Sequence, residues 1–408
     1  MNLLQISLKY IRQKLLATSL NVLLLGLGTG LILLTLLVFR QIEQNFYRNT
    51  QNIDMVVGAE GSPLQLVLAS VYHIDVPTGN ISLADAQKIQ QNKLFVKKAI
   101  PISIGDNFRG FRIVGTTLAY PENYQAKLQS GVWWQKEMEA VLGYEVAKSE
   151  NLKVGDTFIG GHGTQNDNNE ELLHKDNPYK VVGIMQKTNT VLDRLVLTSL
   201  ESVWYIHEHS HEEDHHHEEG EDHHHHEEED KEITALLITF GSPMAAINLP
   251  RQVDALDNMQ SAVPIAEVAR FLSILGIGAD ALKALGYILL AVALLGIFIG
   301  IYNSLKERRY DLAMMRFLGA SAGKLFGLII LEGLLITFFG LSLGLLIGHL
   351  SLEILAQSFS QNLYFELTGW FFLQEELWLI ALVSLLSMLI STILASQIYK
   401  IDLIKTLQ

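Results

Sequence analysis

The chain has 408 residues, 49% of them hydrophobic, no cysteine, and a formal charge of −13 at pH 7. This composition indicates a membrane protein with a sizeable soluble part, and it excludes a disulfide framework or a thiolate metal site. The acidity is local: residues 207–232 hold thirteen acids and one lysine, contributing −12, so the remainder is nearly neutral and offers no basic surface for nucleic acid.

In chain order, MNLLQISLKYIRQKLL (1–16) spaces apolar residues at helical intervals with Lys9, Arg12 and Lys14 between them. This predicts an amphipathic helix on the inner membrane surface. Residues 17–39 are 23 positions without a charge, enough to cross a hydrocarbon core that needs about 20. FRQIEQNF, which follows, has no small-residue cleavage site, so the segment predicts a retained span and not a signal peptide.

Residues 40–283 form one large stretch outside the membrane with mixed secondary structure. LADAQKIQQ (83–91) predicts a helix, and FRIVGTTL (111–118), KVVGIM (180–185) and ITALLITF (233–240) predict strands. GGHGTQNDNNEE (160–171) predicts a loop. LPRQVDALDNMQ (249–260) and IAEVARFLSIL (265–275) read as helices returning to the membrane.

Three further spans follow at 284–305, 325–350 and 377–399, with connectors at 306–324 and 351–376 and a tail at 400–408. Three basic residues precede the first span, five occupy 306–324, and Lys400 and Lys405 lie in the tail, whereas 351–376 has neither Lys nor Arg. The bias places both termini and the 306–324 connector in the cytoplasm. The expected fold class is therefore an α-helical integral membrane protein with four transmembrane helices, arranged 1+3, and a large mixed α/β extracytoplasmic domain.

KERRYDLAMMRFLGAS (306–321) combines Lys306, Arg308, Arg309 and Arg316 with apolar Leu312, Met315, Phe317 and Leu318, and ends in Leu318-Gly319-Ala320, a helix stop. It predicts a short cytoplasmic helix able to press against another surface; an ordinary connector whose charges only set topology has the same features. GASAGKL (319–325) is one residue short of a phosphate-binding loop, has Leu where Ser or Thr would bind magnesium, and follows no strand. Any ATP hydrolysis must come from a separate subunit.

The tract HEHSHEEDHHHEEGEDHHHHEEEDKE (207–232) holds ten of the fourteen histidines: His207, His209, His211, His215, His216, His217, His223, His224, His225 and His226. Imidazoles among carboxylates suit Zn²⁺ and, less selectively, Ni²⁺ or Cu²⁺. His211 to His215 matches the zinc-protease pattern H-E-x-x-H, but the tract contains no apolar residue to pack such a helix. It reads as weak multi-site metal capture, with a solvated spacer as the alternative; His162 and His174 are possible further ligands.

Glu332 lies within a span, where a charge costs roughly 2.5–3.5 kcal/mol. The other spans carry no charged partner for an ion relay, so a hydrogen bond within the bundle or a position near an interface is expected. Gly340, Gly344 and Gly348 recur every four positions, a small-residue face that suits close helix packing and dimerisation.

In this order the segments resemble the MacB/FtsX-like ABC transporter permease family nearly end to end. IVGTTLAYPENYQAKLQSGVWW (113–134), AVLGYEVAKSENLKVGDTF (140–158) and YKVVGIM (179–185) resemble its periplasmic core. KERRYDLAMMRFLGAS resembles its cytoplasmic loop, LEGLLITFFGLSLGLLIG (331–348) its third span with Glu332, and YKIDLIKTLQ (399–408) its tail. VVGAEGSPLQLVLASVYHIDVPTGNI (56–81) looks characteristic of a subgroup of unnamed substrate.

The resemblance implies a non-enzymatic subunit of the bacterial inner membrane, working as a homodimer or with a related permease. ATP is bound by a separate ABC ATPase and no catalytic cofactor by this chain. It implies mechanotransmission, moving a periplasmic or lipophilic substrate or driving a periplasmic or lipoprotein partner. Lys306, Arg308, Arg309, Arg316, Leu318 and Gly319 would then meet the ATPase, and Glu332 and the glycine face would belong to the bundle. The chain lacks a fused nucleotide-binding domain and adds the histidine tract. That leaves open a zinc-homeostasis permease, or a non-transporting adaptor that activates an envelope enzyme.

Overall fold

The computed structural model describes residues 3–161, 177–212, 231–359 and 367–400. The chain opens with α1 (Leu3–Gln13) and α2 (Leu15–Asn49). Next come β1 (Met55–Ala59), α3 (Pro63–Ser70), β2 (Ile81–Ser82), α4 (Leu83–Gln90), β3 (Val96–Phe108) and β4 (Phe111–Thr116). They are followed by α5 (Ala119–Asn123), β5 (Leu128–Gly131), β6 (Glu139–Leu142), α6 (Tyr144–Glu150), β7 (Thr157–Phe158) and β8 (Tyr179–Met185). Then come β9 (Leu195–Ser199), α7 (Leu200–Glu212), β10 (Glu232–Ile233), β11 (Ala235–Phe240), α8 (Ala245–Val253) and β12 (Met259–Ala262). The last helices are α9 (Pro264–Glu307), α10 (Arg309–Phe317), α11 (Ala322–Phe359) and α12 (Gln374–Ala395). They divide into a helical unit, residues 1–42 with 274–408, and an α/β unit, residues 43–273.

Among the described residues, four helices are long and apolar enough to cross a membrane, α2, α9 and α11 among them. Small residues set how closely they approach. A Cβ added at Gly348 of α11 would come within 2.8 Å of Leu33 on α2, and Gly340 and Gly344 likewise receive Leu25 and Thr29. In return Gly26 and Gly30 of α2 receive Leu343 and Ile347 of α11. On its other side α2 meets α9, where a Cβ at Gly28 would stand 3.0 Å from Leu290 N. The glycine face that suited dimerisation in the sequence is therefore taken up within the chain by α2.

Toward the far end of α11, His349 Nδ1 is 2.6 Å from the Gly369 carbonyl and its Nε2 3.3 Å from Glu376 Oε2. Glu353 Oε2 accepts from Gly369 N at 2.9 Å, and Gln41 Nε2 donates to Thr368 O at 3.0 Å. These bonds tie α2, α11 and α12 to the short turn at 367–373.

The α/β unit is built on a sheet of order β12-β1-β11-β3-β4-β9-β6-β8-β5, with β7 paired to β8. The pairs β4–β9 and β6–β8 are parallel and the others antiparallel. One core packs Met55, Val57, Leu236 and Ile238 against Ala86, Ile89, Leu249 and Val253 of α4 and α8. A second packs Ile113, Leu142, Val181 and Val196 against Val146 and Ala147 of α6.

Within this unit, the backbone carbonyls at and just beyond the end of α2 are capped by side chains. Tyr72 Oη donates to Phe46 O (2.9 Å), Tyr124 Oη to Asn49 O (3.0 Å), and Asn123 Nδ2 to Gln51 O (3.1 Å). A helix end leaves such acceptors without intrahelical partners, so each bond satisfies a group that burial would otherwise penalise. Beside them His73, at φ +55°, shares a 2.8 Å hydrogen bond with Tyr120 Oη. Burial, with Arg112 adding to it, pushes the His73 imidazole down to about 3.

The predicted strands over 111–118, 180–185 and 233–240 and the helix over 83–91 appear as β4, β8, β11 and α4. The helix read over 249–260 is not formed as such. α8 ends at Val253, Asn258 adopts φ +61°, and Met259–Ala262 pairs antiparallel with β1 as the edge strand β12. Four residues of sheet pairing outweigh a local helical pattern that already contains Pro250. Helix bounds also exceed the predicted spans, because α2 continues to Asn49 and α9 begins at Pro264.

Candidate functional site

The segment 306–321 forms a bend, a two-turn helix and a stop. At Arg308 the backbone leaves helical dihedrals (φ −94°, ψ 13°) between α9 and α10. Its amide still bonds to Ser304 O (3.1 Å) and its carbonyl accepts from Leu312 N (2.9 Å), so the chain bends without losing its ladder. α10 ends where Gly319 takes φ +96°, with Ala320 N bonded to Met315 O (2.9 Å) and Gly319 N to Arg316 O (3.0 Å). This left-handed stop is one that glycine adopts at little cost. Ser321 then caps α11, accepting from Lys324 N at 3.4 Å.

α10 is two-sided. Leu312 and Ala313 are buried, and Leu312 belongs to a cluster with Ile297, Ile301, Leu325, Ile329, Leu394 and Ile398. The other side exposes Tyr310, Phe317 (73%) and Leu318 (79%) among Lys306, Arg309 and Gly319. Arg316 is half-buried, its Nη1 donating to Ile398 O at 3.5 Å. The end of the C-terminal helix therefore meets the same element.

Arg308 differs from the other basic residues. Its guanidinium turns inward and bonds Glu332 through Nη2–Oε1 at 3.0 Å and Nη1–Oε2 at 3.4 Å. The two side chains are only 14% and 10% exposed. The same guanidinium lies 3.8 Å from the centroid of the Tyr10 ring. Beside it, Lys14 and Glu307 form an ion pair, and Ser7 Oγ donates to Leu328 O at 3.4 Å.

Glu332 thus has a charged partner, which comes from the connector. That partner lies outside the spans, 24 positions away, so the composition of the other spans does not reveal it. Tyr10 is not revealed either. Nothing in its spacing separates it from other apolar positions of α1, and the expected surface-lying helix is packed on α11 with Ser7 fully buried.

Of the histidine tract, His207, His209 and His211 lie on the last turns of α7, and His215, His216, His217, His223, His224, His225 and His226 lie outside the described residues, as do His162 and His174. The flanks of the tract are fastened together. Trp204 Nε1 donates to Glu232 O (2.7 Å), Lys231 Nζ sits 5.2 Å over the Trp204 ring, and Leu83 N bonds to Lys231 O (2.8 Å). Among the described residues no group of three or more His, Asp or Glu is placed to hold a metal.

Comparison with protein families matches residues 18–237 to the MacB-like periplasmic core domain and residues 283–403 to the FtsX-like permease C-terminal region. Comparison with curated proteins returns no match. Among solved structures, the periplasmic region of MacB from Actinobacillus actinomycetemcomitans is similar at 13% identity and TM-score 0.36, covering 55% of this chain and 97% of that one. The extracellular domain of the noncanonic ABC-type transporter YknZ from Gram-positive bacteria is similar at 10% identity and TM-score 0.30, covering 51% and 98%. The core-domain match alone spans more than half of the 408 residues, and the chain belongs to the family of FtsX-like permeases that carry a MacB-like periplasmic core domain.

Proposed function

We propose that the chain is the permease subunit of an ABC transporter that works by mechanotransmission with a separate ATPase, in a bacterial inner membrane with both termini cytoplasmic. Family membership supports a transporter permease. The observation that carries the rest is the open side of α10. Phe317, Leu318 and Tyr310 stand exposed beside Lys306 and Arg309 on a helix whose other side is anchored in the bundle. An apolar patch rimmed by charge on an anchored helix suits a protein partner. No nucleotide-binding motif lies in the sequence, so on this reading that partner supplies hydrolysis. The substrate is periplasmic or lipophilic and is handled by the α/β domain, with the permease acting as a homodimer or beside a related chain.

The test is purification of the tagged chain from its native membrane, in the original form and as Phe317→Ser with Leu318→Ser. An ATPase that accompanies the first and is lost from the second supports the reading; absence of ATPase from both sinks it.

The ten histidines of 207–232 favour an added role for zinc, as a modulator or as the cargo of a zinc-homeostasis permease. The adaptor alternative, in which a periplasmic envelope enzyme is activated without transport, uses the same α10 contact. ATP hydrolysis by the purified complex, titrated with zinc in the intact chain and in one lacking 213–230, tests the metal role. A rate that responds only with the tract present supports it.

A further inference from the structure

Arg308 sits where three elements meet: the bend between α9 and α10, the inner part of α11, and α1. On one side its guanidinium faces both oxygens of Glu332, at 3.0 and 3.4 Å; on the other it faces the Tyr10 ring at 3.8 Å. A planar fork held between a carboxylate and an aromatic face has few orientations open to it, whereas a single-point ammonium would keep many. Glu332 is 93% buried and α11 is firmly seated, so the fork is referred to a fixed post. The backbone at Arg308 is the point at which helical dihedrals are interrupted between α9 and α10. Control of this side chain is therefore control of where α10 points.

We infer that Glu332 is a positioning residue for α10: acting through Arg308, with Tyr10 as the lid, it sets the direction in which α10 leaves α9. This gives the buried acid in the third membrane helix a task other than ion transport. It also makes α1 part of the coupling device. The alignment itself is independent of the partner; only its consequence for hydrolysis rests on the reading of α10 as the ATPase contact. The lysine at 306 and the arginine at 309, both exposed, take no part in the clamp.

The chain has no cysteine, so a single introduced one reports without a background. The full-length chain, carrying Leu318→Cys with a nitroxide and reconstituted in phospholipid nanodiscs, is compared with Glu332→Gln, Arg308→Gln and the double variant. Label mobility is read by electron paramagnetic resonance. A second label at Trp370→Cys, beyond the outer end of α11, serves as the control for general loosening.

The expected result is an at least twofold shorter correlation time at position 318 in Glu332→Gln, with position 370 unchanged. Arg308→Gln, which loses the Tyr10 contact as well, should show at least that change, and the double variant should be no more mobile than Arg308→Gln alone, because Glu332 acts on α10 only through Arg308. Tyr10→Phe should match the parent and Tyr10→Leu should loosen position 318. In the co-purified complex Glu332→Gln should lower ATP turnover several-fold at unchanged KM. An unchanged spectrum at 318, additive single effects, or equal loosening at 370 overturns the inference. Absence of an ATPase sinks the proposed function and leaves the label result standing.

Discussion

Acid should destabilise the α/β unit through one side chain, His73. The imidazole is 2% exposed, its Nε2 faces Tyr120 Oη at 2.8 Å, and its Nδ1 is buried without a hydrogen-bond partner. The charge that acts on it is Arg112, whose guanidinium donates to the carbonyls of His73 (3.1 Å) and Asp75 (2.9 Å). Burial, with Arg112 second, pushes the folded imidazole from 6.5 down to about 3. The unfolded chain takes up a proton below 6.5 while the folded one does not until about 3, so stability present above pH 6.5 is lost as pH falls through that window. The slope approaches about 1.4 kcal/mol per pH unit, which gives a loss of roughly 2 kcal/mol between pH 7 and pH 5.

His73→Asn is the variant to compare. Its backbone at φ +55° suits asparagine better than most residues, and the amide retains a group for Tyr120. Urea unfolding of the full-length chain in detergent is followed by tryptophan fluorescence. Trp370 and Trp378 are replaced by Phe so that Trp133, Trp134 and Trp204 report the α/β unit alone. The parent should lose about 2 kcal/mol more than the variant between pH 7 and pH 5. Equal pH slopes would refute the assignment of this acid sensitivity to His73.

Gly344→Val should cost about 1–3 kcal/mol, read as a lower melting temperature in detergent, because its side chain would enter Thr29 on α2. Gly327→Ala, which meets nothing within 4 Å, should be neutral in the same assay. Tyr124→Phe removes the donor to Asn49 O, and the buried carbonyl left behind should lower the stability of the α/β unit by about 1–3 kcal/mol in the urea assay. Calorimetric titration with zinc should show several weak sites in the full chain and few after removal of 213–230; equal uptake would refute a ligand role for the tract.

Much of the architecture was legible because it rests on local rules. Apolar runs at 17–39, 284–305, 325–350 and 377–399, uncharged but for Glu332 and His349 in the third, fall inside α2, α9, α11 and the last helical stretch, and Leu318-Gly319-Ala320 stops α10 as its chemistry dictates. Periodicity could not show which helix would fill the glycine face. The row Gly340, Gly344, Gly348 announces close approach, but its partner Thr29 is named only by the tertiary fold. β12 was hidden for the same reason, since Met259–Ala262 becomes a strand through pairing with β1, more than 190 residues earlier. Arg308 read like its neighbours Lys306 and Arg309, because charge says nothing of direction; only the bend at 308 turns this one inward.

One spacing in α11 connects the clamp to the seam. Glu332, Ile336, Gly340, Gly344 and Gly348 stand four apart, which on paper looks like a single face. With 3.6 residues per turn each step of four advances by about 40°, so the row turns by roughly 160° from Glu332 to Gly348. Its first member addresses Arg308 and α1, and its last three address α2. α11 therefore holds the bend of α10 with one flank and the first membrane helix with nearly the opposite flank. The two flanks are thus separable. Removing one partner of the Arg308–Glu332 pair costs about 3–5 kcal/mol on one flank, while Gly340, Gly344 and Gly348 keep their contacts with Leu25, Thr29 and Leu33 on the other. Glu332→Gln should then free α10 and leave the α2–α11 seam closed, whereas Gly344→Val should open the seam and leave the clamp in place.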